Sequence, residues 1–262
     1  MYALDAQSIS IIFGGLKAVN NFSLKLEEGQ LAGLIGPNGA GKTTIFNMLT
    51  GVYNPTSGNI LLNGSAGEKS IVGLKPYKIT QMGIARTFQN IRLFKDLTVM
   101  DNVRIAYHFN VKYNALKAIF RIPPFFREED DMKERARELL KIFNIHDKEN
   151  ELAKNLPYGE QRKLEIVRAL ATNPKVLLLD EPAAGMNPQE THDLMELISF
   201  IRDKFKLTIL LIEHDMSLVM GICERITVLD YGQTIAVGTP EEISKDPKVI
   251  KAYLGGEVDV GA

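Results

Sequence analysis

An α/β fold built on a parallel sheet is predicted by three features of the 262-residue sequence. Short, uninterrupted apolar runs stand at residues 31–35, 176–179 and 208–212. Each run ends in a polar turn and is followed by amphipathic, helix-type sequence. Runs of this length suit strands covered on both faces, and the intervening helical segments supply the covering layers. The composition, 45% hydrophobic, 24% charged and 8% aromatic, supports a large core and excludes a disordered or fibrous chain.

Taken in order, residues 1–30 and 58–75 carry strand-like stretches such as Asn59-Ile60-Leu61-Leu62-Asn63-Gly64, bounded by turn residues. They are expected to form a small antiparallel layer. Residues 31–35 open the parallel sheet. From about 90 to 155 buried strands are missing, while Met132, Ala136, Leu139, Leu140 and Phe143 recur at helical spacing, which predicts an inserted, mostly helical subdomain. Pro123 and Pro124 interrupt that pattern and predict a loop over 121–126. The aromatics in and beside it, Phe120, Phe125 and Phe126, are expected to pack beneath the loop, the alternative being contact with another protein or a membrane surface. The acidic run Glu128-Glu129-Asp130-Asp131 is expected to cap the next helix. The boundaries that follow are a single domain over 1–262, with its core and β layer in 1–89 and 156–230, the helical subdomain in about 90–155, and a C-terminal segment in 231–262.

Charge and cysteine use narrow the function classes. With 31 basic and 32 acidic residues the net charge is −1, so nothing points to a nucleic-acid partner. No apolar run approaches the roughly 18 residues of a membrane span, and the start, Met1-Tyr2-Ala3-Leu4-Asp5, lacks a secretory pattern. A cytoplasmic location is expected. One cysteine, Cys223, excludes an internal disulfide and reads as core, and four scattered histidines offer no zinc cluster.

The segment Gly36-Pro37-Asn38-Gly39-Ala40-Gly41-Lys42-Thr43-Thr44 follows the first buried run and fits the phosphate-binding P-loop pattern. Its glycines let several N–H groups converge on one point, and the helix opening near Lys42 adds its positive dipole end. Lys42 is expected to reach the β- and γ-phosphates of a nucleotide and Thr43 to ligate Mg²⁺. The run 176–179 ends in Asp180-Glu181-Pro182, where strand ends face the ligand crevice of an α/β sheet. Asp180 is expected in the Mg²⁺ shell, and Glu181 to take the proton of the attacking water.

P-loops also occur in kinases, small GTPases and helicases, so the class rests on Leu156-Pro157-Tyr158-Gly159-Glu160-Gln161-Arg162. Here the chain resembles the ABC ATPases, whose LSGGQ signature opens a helix facing the γ-phosphate bound by the opposite subunit. The resemblance implies a P-loop NTPase core of the ABC ATPase type and a nucleotide contact by Tyr158, Gly159 and Glu160. Pro157 stands where the family has serine and Tyr158 where it has glycine, so the serine contact does not carry over. Pro157 is expected to preorganise the first turn of a helix over about 160–171.

Other positions of the family pattern match singly. Phe13 stands at the adenine-stacking aromatic, Gln89 at the Q-loop glutamine near Mg²⁺ and the attacking water, and His214 at the switch histidine that touches the γ-phosphate. Ala184-Gly185-Met186-Asn187 falls at the D-loop, with asparagine in place of its aspartate. The resemblance implies two copies, identical or related, closing on two ATP molecules, with two membrane permease subunits docking near Gln89 and the helical subdomain. That arrangement puts the chain on the cytoplasmic face of the inner membrane.

The stretches 156–166, 181–188 and 246–255 further resemble the ATPases of branched-chain amino-acid importers, which implies Leu, Ile and Val as cargo and an external substrate-binding protein acting indirectly. Urea and lipopolysaccharide systems use similar ATPases. A soluble ABC ATPase of DNA repair or translation, and a phosphotransferase, are the readings from other classes; the chain lacks the coiled coils, zinc modules and basic extensions of the first.

Overall fold

A computed structural model describes residues 1–64, 67–107 and 123–254, with 123–128, 217 and 254 described by backbone alone. Its contacts divide the chain into two units, residues 1–86 with 175–262, and residues 87–174. The sequence boundaries differ in assigning 156–174 to the core; in the structure that stretch groups with the helical segment.

The first unit contains two sheets. The antiparallel one is formed by β1 (Tyr2–Phe13), β2 (Leu16–Glu27), β4 (Ser57–Gly64) and β5 (Gly67–Ser70) in the order β2-β1-β4-β5. The other, ordered β10-β9-β3-β8-β7-β6, contains β3 (Leu31–Ile35), β6 (Ile84–Arg86), β7 (Val176–Asp180), β8 (Thr208–Ile212), β9 (Arg225–Asp230) and β10 (Gln233–Gly238). All its neighbours pair in parallel except β9 and β10. The three apolar runs are β3, β7 and β8, and every residue in them is buried. Ile9, Phe22, Ile60, Leu34, Leu210 and Ile212 share one core with Ile45 and Phe46 of the helix Lys42–Leu49, so both sheets and the helix after the P-loop are packed together. The register of β7 on β8 sets Asp180 opposite Ile212, which brings the ends of these strands level. Residues after each end therefore become neighbours.

The second unit is helical, with helices Val99–Tyr107, Pro123–Ile142 and Tyr158–Ala171. Met132, Ala136, Leu139, Leu140 and Phe143 are all buried, as their spacing requires. The expected loop over 121–126 is corrected from residue 123 onward, because the helix begins at Pro123. A proline is tolerated in the first turn, where its missing N–H has no intrahelical partner to lose. Residues 120–122 and the side chains of Phe125 and Phe126 lie outside the described residues. The acidic run sits within this helix rather than before it, and Glu129 pairs with Arg104 at 2.5 Å. Arg137 grips Glu149 through Nε at 2.9 Å and Nη2 at 3.0 Å.

Candidate nucleotide site

The phosphate loop is shaped by close backbone approaches. Gly36 has φ 151° and a Cβ there would stand 2.2 Å from the Leu229 carbonyl oxygen, so no side chain fits. Gly41, at φ 104°, is the N-cap of the helix Lys42–Leu49 and supplies no side-chain cap. Nor does the first turn carry an acidic residue, which leaves its N–H groups and dipole for an external anion. The loop closes on itself through Ala40 N–H to the Pro37 carbonyl at 3.2 Å, and the Ala40 carbonyl accepts from Gly232 N–H at 2.9 Å. Asn38, Gly39 and Thr43 are exposed, and Thr44 is partly buried. Lys42 is buried, its ammonium donating to the carbonyls of Gly36 at 2.7 Å and Pro37 at 2.9 Å. Burial holds its amine below the usual lysine value, against the opposing pull of Glu181 and Asp180.

Asp180 ends β7 and Glu181 follows it directly. Asp180 is buried and receives Arg86 Nη2 at 2.6 Å; the same guanidinium donates through Nη1 to Asn47 Oδ1 at 2.7 Å. Arg86 thus ties β6 to β7 and to the helix behind the phosphate loop. Glu181 turns the chain sharply at φ 47° while its N–H still reaches the Ile212 carbonyl at 2.9 Å. Its carboxylate lies 3.7 Å from Nδ1 of His214, on the loop after β8. Lys42, Asp180, Glu181 and His214 are therefore brought together.

Glu213, next to His214, is fully buried. Its Oε1 accepts from Ala183 N–H at 2.8 Å and its Oε2 from His214 N–H at 3.2 Å. Phe13 lies at the hairpin end of β1, 42% exposed rather than in the core, with its ring edge-on to Tyr53 at 5.2 Å between centroids. Asn187 accepts from Glu190 N–H as the N-cap of the helix Pro188–Phe205, completing a capping box.

The remaining candidates belong to the helical unit. Pro157 is the N-cap of the helix Tyr158–Ala171 rather than a residue of its first turn, and its carbonyl accepts from Gln161 N–H at 3.0 Å. Gly159, in that first turn, is partly buried, and the Glu160 carboxylate pairs with Lys148 Nζ at 2.6 Å. Arg162, without exposed surface, donates to the carbonyls of Phe88 at 2.6 Å and Gln89 at 2.7 Å and to the Tyr158 hydroxyl at 3.1 Å. Glu165 answers by accepting from the N–H groups of Phe88 at 3.3 Å and Arg92 at 3.2 Å. The signature helix and the Gln89 segment are one fastened piece.

Sequence reasoning missed Arg86, Glu213, Arg162 and Glu165. Their signal was charge at positions that the apolar pattern buries, as with Glu213 directly after the strand 208–212.

A family model described as ABC transporter matches residues 19–184. The chain belongs to the ABC transporter family. This ABC ATPase also matches, at residues 233–259, a family model described as branched-chain amino acid ATP-binding cassette transporter. It is 49% identical to the high-affinity branched-chain amino acid transport ATP-binding protein BraF of Pseudomonas aeruginosa, over 96% of this chain and 97% of that one. It is 48% identical to the corresponding LivG protein of Escherichia coli K12 over the same shares, and 35% identical to that organism's lipopolysaccharide export system ATP-binding protein LptB over 97% and 98%. Among solved structures, the ADP conformation of MJ1267, an ATP-binding cassette of an ABC transporter, superposes with a TM-score of 0.83 at 31% identity, covering 97% of this chain and 99% of that one. The parallel sheet, the antiparallel layer and the helical insertion are thus those of an ABC ATPase, a class that binds ATP.

Proposed function

We propose that this ABC ATPase energises a membrane importer of branched-chain amino acids. The observation that carries the hydrolytic reading is the Glu181 carboxylate 3.7 Å from His214 Nδ1, with Lys42 close enough for the Asp180 and Glu181 carboxylates to act on its charge. In this reading the N–H groups of 36–44 and the Lys42 ammonium hold the β- and γ-phosphates. Glu181 accepts the proton as water oxygen attacks the γ-phosphorus and the bond to ADP breaks. His214 donates a hydrogen bond to the γ-phosphate, and Phe13 offers its exposed ring to the adenine.

The Thr43 hydroxyl and the Asp180 carboxylate are oxygen donors, only one of them charged, which would suit magnesium held partly by substrate phosphates, and the family resemblance adds Gln89 to that set. Among the described residues no cluster of three or more His, Cys, Asp or Glu could hold a metal ion. Bound there, the ion neutralises charge on the phosphates.

Tyr158, Gly159 and Glu160 open a helix whose dipole is directed at the γ-phosphate held by a second copy, so that ATP joins two protomers and its hydrolysis releases them. Among the described residues no helix is long and apolar enough to cross a membrane. The family resemblance assigns the translocation path to two permease subunits, fed by an external binding protein, with this subunit docked on their cytoplasmic face. The cargo is supported by the match at 233–259 and by the BraF and LivG likenesses. Reconstitution with permease and binding-protein subunits of a branched-chain amino-acid importer tests this reading: Leu, Ile or Val should stimulate ATP hydrolysis, whereas stimulation only by urea or lipopolysaccharide would reassign the cargo.

A further inference from the structure

The turn after β7 carries Glu181, and the loop after β8 carries His214. The two are separate chain segments, and their 3.7 Å approach needs something to hold it. The Ile212 carbonyl bonds Glu181 N–H at the strand ends, and the chain then continues as Pro182-Ala183-Ala184 on one side and His214-Asp215 on the other. Glu213 spans them. One carboxylate oxygen receives the Ala183 N–H at 2.8 Å, the other receives the His214 N–H at 3.2 Å, and the Asp215 backbone adds a further bond. The side chain has no exposed surface, and burial pushes its carboxyl above the usual range, so the site bears a desolvation cost that an alanine or leucine would avoid. Oε2 of the same carboxylate stands 3.7 Å from His214 Nδ1, which places the imidazole between the carboxylates of Glu181 and Glu213.

We propose that Glu213 is a positioning residue of the hydrolytic centre, fixing the turn that bears Glu181 against the loop that bears His214. This rests on the reading of Glu181 as the base. Glu213 touches no substrate in this account. It acts by setting where Glu181 stands relative to the γ-phosphate, and a displacement of about 1 Å in such a group lowers turnover by roughly two orders of magnitude. Substrate affinity depends instead on the loop 36–44, whose bonds do not involve Glu213.

The discriminating variant is Glu213→Gln, which keeps volume and one acceptor but turns an amide NH₂ toward an N–H that needs an oxygen. Glu213→Asp, one methylene shorter, keeps the charge but not the span. With the full chain and MgATP, both variants should show a kcat roughly 10–100-fold lower with KM and ATP affinity within about twofold of wild type. Melting temperature is measured alongside, and Glu181→Gln serves as the control. Wild-type kcat in either variant overturns the proposal, as does a loss of kcat that merely tracks loss of ATP binding or of folded protein in both. If Glu181→Gln itself turns over normally, the reading of the base fails instead. An inactive Glu181→Gln beside a fully active Glu213→Gln sinks only the present inference.

Discussion

Arg86 Nη2 lies 2.6 Å from Asp180 Oδ2, and both side chains are almost wholly buried. The ion pair joins the ends of β6 and β7, and the other guanidinium nitrogen holds Asn47 of the helix that follows the phosphate loop. Removing one member takes the opposite charge away from a buried, desolvated group. Arg86→Met is therefore expected to lose roughly 3 kcal/mol of stability, about 6–12 °C in melting temperature. MgATP should restore part of that loss in Arg86→Met, since the cation compensates Asp180. Melting curves with chelator and with MgATP check both statements; equal melting of wild type and variant contradicts them.

Glu181→Gln keeps the phosphate cradle and removes the proton acceptor. Nucleotide affinity should be preserved while phosphate release falls by roughly 10²–10⁴-fold. Bound radiolabelled ATP and free phosphate, measured on the same sample, separate the two quantities. Wild-type phosphate release excludes this role.

Lys42 carries both an affinity and a stability prediction. Losing one charge-assisted phosphate contact in Lys42→Met should weaken ATP binding roughly tenfold or more. Burial holds the folded-state amine below the ordinary lysine value of 10.5, so the unfolded chain binds this proton more tightly. The charged amine therefore lowers stability at neutral pH, and that loss disappears as pH rises from the depressed folded value to 10.5. The stability of wild type relative to Lys42→Met should climb across this window. A constant difference over the same range would argue against burial as the cause of the shift.

Cys223 is 5% exposed, and burial pushes its thiol up to about 12. A thiol-specific reagent at mildly alkaline pH should leave the native protein unmodified and label one thiol after unfolding. Rapid labelling of the folded chain would show that the packing around β9 and the neighbouring helix opens readily.

The elements legible in the sequence were those whose stabilising contacts are repeated locally. β3, β7 and β8 are buried along their whole length, so each is a continuous apolar run, and the helical stripe from Met132 to Phe143 repeats every three or four residues. β6 has only three residues, too few for a period. β1 changes register between Ala6 and Ile9 and again before Ile11, which blurs the alternation of an otherwise long strand. The helix at Pro123 was read as a break because proline's cost in a helix interior was applied to a first turn. In the site, glycine spacing and strand-end carboxylates announce themselves within a few residues, as at 36–44 and 180–181. Arg86 and Glu213 do not, since their meaning lies in Asp180, 94 residues from Arg86, and Ala183, 30 residues from Glu213.

A structure of the Glu181→Gln variant bound to MgATP measures the central claim most directly. The account predicts two protomers, with each γ-phosphate held by Lys42 of one chain and within roughly hydrogen-bonding distance, about 3 Å, of the backbone N–H groups around Gly159 of the other. ATP bound at Lys42 with no second protomer's Gly159 near it, in the isolated subunit and in the transporter complex alike, would contradict it.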